Sequence, residues 1–180
     1  GFLKGDNSGL KLGLNGHLGI GYQFDNILGI KANLGFGGLD GKYSNYTINK
    51  SNYFEGNLNL TINFTDIILG YNPDRKFSLV PHIGIGQMQY RARATYADGE
   101  KAYVGYNHDA AGNTKGGGIL NRKVALTVPM GIELTYKMNE TLDFFVDAST
   151  NFVDSDILDC FYSGEHKDYH STMNVGLRYK

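Results

Sequence analysis

From Leu10 to Phe24 the chain alternates between two kinds of residue. Leu10, Leu12, Leu14, Leu18, Ile20, Tyr22 and Phe24 share one parity, interrupted by Gly16, and Lys11, Gly13, Asn15, His17, Gly19, Gly21 and Gln23 share the other. Side chains of a strand project to opposite faces with a period of two, so this segment predicts a strand with one apolar face and one polar, glycine-rich face. The rhythm returns at Leu28–Gly37, Phe54–Phe64, Leu120–Met138, Leu142–Phe152 and Met173–Tyr179. Only "KFSLVPHIGIGQMQYRARATY" loses phase: Leu79, Ile83 and Ile85 are odd, whereas Met88, Tyr90 and Ala92 are even. A bulge near Gly86–Gln87 would restore it, keeping Tyr90 on the apolar face and Arg91 and Arg93 on the polar one.

The connections alternate as well. Asp25-Asn26 and Asn139-Glu140 predict tight two-residue turns, and Thr65–Lys76 predicts a short helical turn capped by Thr65 and a further turn at Asn72-Pro73. Long polar segments, Gly38–Asn52, Tyr96–Gly118 and Asp154–Asp168, lie at the other end of the strands. Seven full strands are visible, and an up-and-down bacterial barrel needs an even number. Because Leu10–Phe24 runs toward a short turn, a strand must precede it. "GFLK" is then the end of a first strand clipped at its N-terminus, paired with Leu10–Leu14 on one side and the final strand on the other. The expected fold is all-β: an eight-stranded antiparallel up-and-down transmembrane β-barrel, one domain over residues 1–180.

Alternation alone does not say which face is inside. The polar face carries Lys31, Arg91, Arg93, Glu133, Asp147 and Arg178 at mid-strand, among Gly, Asn, Thr and Ser rather than the dense Lys and Glu of a water-facing surface. Aromatic residues end the apolar stripes: Tyr22, Phe24, Phe64, Phe77, Tyr136 and Tyr179 at the short-turn end, Phe36, Phe54, Tyr90 and Phe152 at the long-loop end. Two such girdles, with stripes of about nine to eleven residues, suit strands tilted across a bilayer. The apolar face is expected to touch lipid.

The alternating strands, "NLTINFTDIILGYNPDRKF" followed by "PHIGIG", and the final "MNVGLRYK" resemble the OmpA/OmpX-like outer-membrane β-barrel domains of Gram-negative bacteria. The resemblance spans essentially the whole chain and rests on pattern more than on signature residues. It implies a location in the bacterial outer membrane. Barrels that end here usually finish on an aromatic residue, whereas this chain ends at Lys180; family members often continue into a periplasmic domain, which would make peptidoglycan a partner.

Charge and composition exclude several other classes. With 17 basic and 18 acidic residues and no basic run, the chain has no footprint for nucleic acid. A single cysteine, Cys160, excludes an internal disulfide and a multi-cysteine metal site. His17 and His82 fall on the polar face without a third ligand spaced to join them, and Asp154, Asp156 and Asp159 lack the glycine and terminal glutamate of a calcium loop. No nucleophile motif and no phosphate loop is present, so neither catalysis nor a cofactor or metal is expected.

An eight-stranded barrel is just wide enough for its own side chains. Lys31, Glu55, Arg91, Arg93, Lys123, Glu133, Asp143, Asp147 and Arg178 are therefore expected to form a paired polar network that fills the lumen. Recognition is expected in the long loops, with Tyr96, Tyr103, Tyr106 and His108 as candidates. The expected function is a structural or anchoring barrel that recognises partners through its extracellular loops, with outer-membrane lipid as its solvent. The alternative is an accessory barrel subunit packed on other outer-membrane proteins of an assembly or secretion complex. An exposed small-residue patch around Gly16 would favour that alternative; a small-ion channel or outer-membrane enzyme ranks below both.

Overall fold

The computed structural model describes residues 2–3, 14–42, 46–106, 113–114, 116–154 and 169–180. Its strands are β1 (Phe2–Leu3), β2 (Asn15–Gln23), β3 (Leu28–Lys42), β4 (Tyr46–Ile62), β5 (Phe77–Tyr96), β6 (Lys101–Val104), β7 (Asn113–Thr114), β8 (Lys123–Lys137), β9 (Leu142–Val153) and β10 (Tyr169–Tyr179), with one helix, α1 (Phe64–Leu69). They form one sheet in the order β1-β10-β9-β8-β5-β4-β3-β2, eight strands along the path, with β6 and β7 attached beside β5. Every neighbouring pair on that path is antiparallel. The fold is an eight-stranded antiparallel β-barrel wall.

β1 meets β10 where expected, at the long-loop end, with Phe2 opposite Ser171 and Leu3 opposite His170. Pairing of this segment with Leu10–Leu14 lies outside the described residues. Among the described residues no ladder joins β2 to β10, although Asn15 Nδ2 donates to Asn174 Oδ1 at 3.2 Å from one strand to the other.

The predicted bulge at Gly86–Gln87 is absent. Gly86 pairs with Asn57 and Thr127, and Met88 with Glu55 and Ala125, in unbroken register with His82 and Thr61 below. The shift in the β4–β5 ladder lies between Ile48 and Asn52 instead. β5 therefore keeps one phase throughout: Ile83 and Ile85 face outward with Gln87, Gln89, Arg91 and Arg93, while Met88, Tyr90, Ala92 and Ala94 point inward and are fully buried. The hydrophobic pattern inverts although the backbone does not. Beyond the girdle the outer face meets water and headgroups, so polar residues belong outside and apolar ones inside.

Two of the long polar segments are partly strand. β3 and β4 run on through much of Gly38–Asn52, and β5–β6 forms a hairpin closed by Tyr96 N to Glu100 O at 2.9 Å. Outside a bilayer neither face need be apolar, so these extensions leave no alternation to read.

The short turns span four residues rather than two, Phe24–Ile27 and Met138–Thr141, and share one construction. Asp25 Oδ1 accepts from Ile27 N and Leu28 N, both at 2.7 Å; Asn139 Oδ1 accepts from Thr141 N at 2.9 Å and Leu142 N at 2.8 Å. These donors, Leu28 before Ile27, hold the Asp25 carboxyl below its ordinary value. Asn139→Ala removes the acceptor and is expected to lower the unfolding free energy by about 1 kcal/mol, read from urea titration in liposomes. An unchanged midpoint would mean that the strands alone set this turn.

The cap of α1 is Asn63 rather than Thr65: Asn63 Oδ1 accepts from Asp66 N at 3.2 Å. Thr65 Oγ1 instead accepts from Leu79 N at 2.7 Å and fastens the helix to β5. Arg75 pairs with Asp66 and donates to Gly70 O at 2.9 Å, folding the following segment back on the helix. Among the described residues no helix is long and apolar enough to cross a membrane, which leaves crossing by strands untouched.

Candidate functional site

The inward parity of each strand converges on the lumen. Glu133, 2% exposed, is its hub near the short-turn end. Lys31 Nζ lies 3.0 Å from its Oε2, Arg178 Nη2 and Thr135 Oγ1 donate to its Oε1, and the Arg178 guanidinium sits over the Phe145 ring. Below it, Lys180 Nζ reaches Asp143 at 2.8 Å, and Lys137 Nζ donates to Pro73 O at 2.8 Å, drawing the α1–β5 connection across the mouth.

In mid-barrel His82 Nε2 and Asp147 Oδ2 lie 2.7 Å apart, with Ser149 donating to the same carboxylate. An asparagine ladder continues upward: Asn33 and Asn59 both donate to Asn57 Oδ1, at 3.0 and 2.6 Å. Higher still, His170 Nε2 lies 3.0 Å from Asn151 Nδ2 and 3.7 Å from Glu55 Oε2, beneath the Tyr53 ring. A fully buried apolar cluster of Tyr53, Met88, Tyr90, Ala92, Val104, Ala125 and Val153 covers the polar column at the long-loop end. Low dielectric strengthens the contacts of Glu133 with Lys31 and Arg178 and of Asp143 with Lys180, each of which offsets the cost of a lone buried charge.

Of the expected network, Lys31, Glu133 and Arg178 form one cluster, Asp143 meets Lys180 and Asp147 meets His82, whereas Glu55 has only the His170 ring at 3.7 Å and its Oε2 makes no hydrogen bond among the described residues. Lys123 is half-buried on the inward register at the mouth, opposite Tyr90. Arg91 and Arg93 do not enter the lumen; continuous register in β5 turns them outward. Tyr90, expected in the girdle, belongs to the buried lid. His170, Lys180 and that lid stand outside the network expected from the sequence, and alternation carried unbroken through Gly84 and Gly86 is the signal that reveals the lid. Among the described residues no group of three or more His, Cys, Asp or Glu could hold a metal ion.

On the outer wall, Leu18, Ile20, Leu34, Ile85, Leu126, Met173, Val175 and Leu177 are exposed. The short-turn girdle contains the contacts Tyr22–Phe24 and Phe77–Tyr136, at ring separations of 5.4 and 4.9 Å. Phe152 with Tyr169, and Phe36, mark the other level. The Phe36 ring covers the place where a side chain at Gly16 would go, so no small-residue recess opens there. Tyr103 packs edge-on against Tyr106 in the β6 region, and Tyr96 closes the β5–β6 hairpin. His108 lies outside the described residues.

No protein-family model matches the chain, and no curated protein matches it. Among solved structures it is similar to Ail, the attachment invasion locus protein of Yersinia pestis: 15% identity, TM-score 0.50, covering 99% of this chain and 90% of that one. The same protein in complex with the heparin analogue sucrose octasulfate aligns at 15% identity and TM-score 0.44, over 91% and 79% of the two chains. The likeness is one of fold, that of an outer-membrane β-barrel.

Proposed function

We propose that the protein is an outer-membrane β-barrel with a side-chain-filled lumen, serving as a structural anchor that recognises partners through its extracellular loops. One contrast carries the reading: along β8 outward Leu126 is 64% exposed and inward Glu133 2%, and along β10 outward Val175 is 70% exposed and inward His170 0%. In water such an apolar exterior would be an aggregation liability; in lipid it is the solvent-matched face. The ion-paired column and its apolar lid support an anchor rather than a pore. The β5–β6 hairpin, with Tyr103 and Tyr106 at its base, supplies a rigid support for recognition beyond the membrane.

The test is reconstitution in liposomes and planar bilayers. Protease added on the loop side is expected to cut near Ala97–Glu100 and spare the strands, and pure protein is expected to pass no steady current. Full digestion would remove the membrane reading. Stable ion-selective openings would remove the filled-lumen reading and leave the fold intact.

A further inference from the structure

The same β5 register that expels Arg91 from the lumen sets it beside Arg122. Tyr90 pairs with Lys123, so Arg91 and Arg122 are the next positions outward on β5 and at the start of β8, and Arg91 also pairs with Asn52 of β4. All three lie one step beyond the girdle residue Phe54, which pairs with Gln89. Like charges facing each other on neighbouring strands destabilise a sheet unless something lies between them. Among the described residues no carboxylate forms an ion pair with either guanidinium. Burial first, and then the charge of Arg91, push the Arg122 guanidinium below its ordinary value.

Both side chains are held in place. Arg122 Nη1 donates to Asn52 O at 3.1 Å and its guanidinium lies 5.2 Å from the centre of the Phe54 ring. Arg91 Nε donates to Gly105 O at 2.9 Å, its Nη2 donates to Leu120 O, and its guanidinium lies 5.3 Å from the Tyr106 ring centre. The Leu120 carbonyl is presented by a turn in which Leu120 and Asn121 have φ of 55° and 63°, the left-handed region that a branched apolar residue rarely adopts. That turn also exposes Ile119 and Leu120 beside the two cations, at 61% and 71%.

We infer that Arg91 and Arg122 form a binding site for the phosphate of a lipid headgroup in the outer leaflet, with Ile119 and Leu120 resting among the acyl chains. Two neighbouring planar guanidiniums, each with N–H groups not used in these contacts, suit a tetrahedral oxyanion, and the adjoining apolar turn commits the site to lipid rather than to free phosphate. The inference rests on the membrane reading above.

The test uses the full chain in bilayers of phosphatidylcholine with a minor fraction of phosphatidic acid, whose headgroup is a phosphomonoester. Bound lipid is counted by native mass spectrometry after extraction. Wild type is expected to retain phosphatidic acid over phosphatidylcholine, and Arg91→Gln with Arg122→Gln to reduce that enrichment roughly tenfold. Lys76→Gln, which removes one positive charge at the short-turn end, is expected to leave it intact. Arg91→Lys with Arg122→Lys, which keeps charge but loses the planar forks, is expected to fall between. Equal enrichment in wild type and the double glutamine variant overturns the site. Displacement of phosphatidic acid by an equal concentration of inorganic phosphate overturns the lipid as its source. Heat-modifiable gel mobility and protease protection report insertion separately: failure there removes the membrane reading, whereas loss of enrichment in inserted barrels bears on this site alone.

Discussion

Met130→Arg is expected to destabilise the folded barrel in a bilayer by about 2–4 kcal/mol, and Val124→Arg by no more than about 1 kcal/mol. Both residues share the outward parity of β8, so the difference is one of depth. Val124 pairs with Gln89, which pairs with Phe54 at the long-loop girdle, and Tyr136 pairs with Phe77 at the short-turn girdle. Met130, opposite Ile83 and Thr150, lies midway between these levels. A guanidinium there has no headgroup within easy reach, whereas at Val124 it can extend to the interface. Reversible urea unfolding in liposomes measures both. On an exposed surface in water the two substitutions would cost little and about equally. Equal, small costs would therefore show that the apolar face does not meet hydrocarbon.

The legible and illegible parts of the sequence divide at the girdles. Between them, each strand has one face in an apolar medium and one in a crowded lumen, and the period-two pattern of Leu18, Ile20 and Tyr22, or of Met130, Ile132 and Leu134, reports that division directly. Beyond them the outer medium turns polar. Met88, Tyr90 and Ala92 then become interior residues on the parity that carried His82 below, and Arg91 becomes exterior on the parity of Ile85. A reader who keeps "apolar means lipid" must invent a bulge at that point; one who keeps the backbone phase obtains the buried lid and the outward arginines together. Parity could place Lys31, Glu133 and Arg178 on one face, but which carboxylate meets which cation depends on strand stagger. Lys31 and Glu133 lie on strands that are not neighbours, so their pairing across the lumen is invisible in spacing. Asn63 capped the helix in preference to Thr65 because the Thr65 hydroxyl was engaged by β5, a tertiary contact that no local motif records.

Glu133→Ala is expected to cost about 3–5 kcal/mol, the range seen when one partner of a buried ionic cluster is removed. The carboxylate accepts from Lys31, Arg178 and Thr135 at once. Its loss leaves two cations facing each other across a narrow lumen. Arg178, whose side chain is about a third exposed near the mouth, can recover some hydration; Lys31, at 16%, recovers less. The effect should therefore sit toward the lower end of that range. Glu133→Gln keeps the hydrogen-bond geometry but not the charge, and should fall between wild type and Ala. Replacing the whole cluster, Lys31→Met with Glu133→Leu and Arg178→Met, should recover much of the lost stability, because no charge then remains to be compensated. Urea midpoints in liposomes rank the four proteins, and planar-bilayer recordings of the same samples provide the second readout. If Glu133→Ala proves neutral in stability while steady current appears in wild type, the lumen is wetted rather than filled, and these charges line a path for ions.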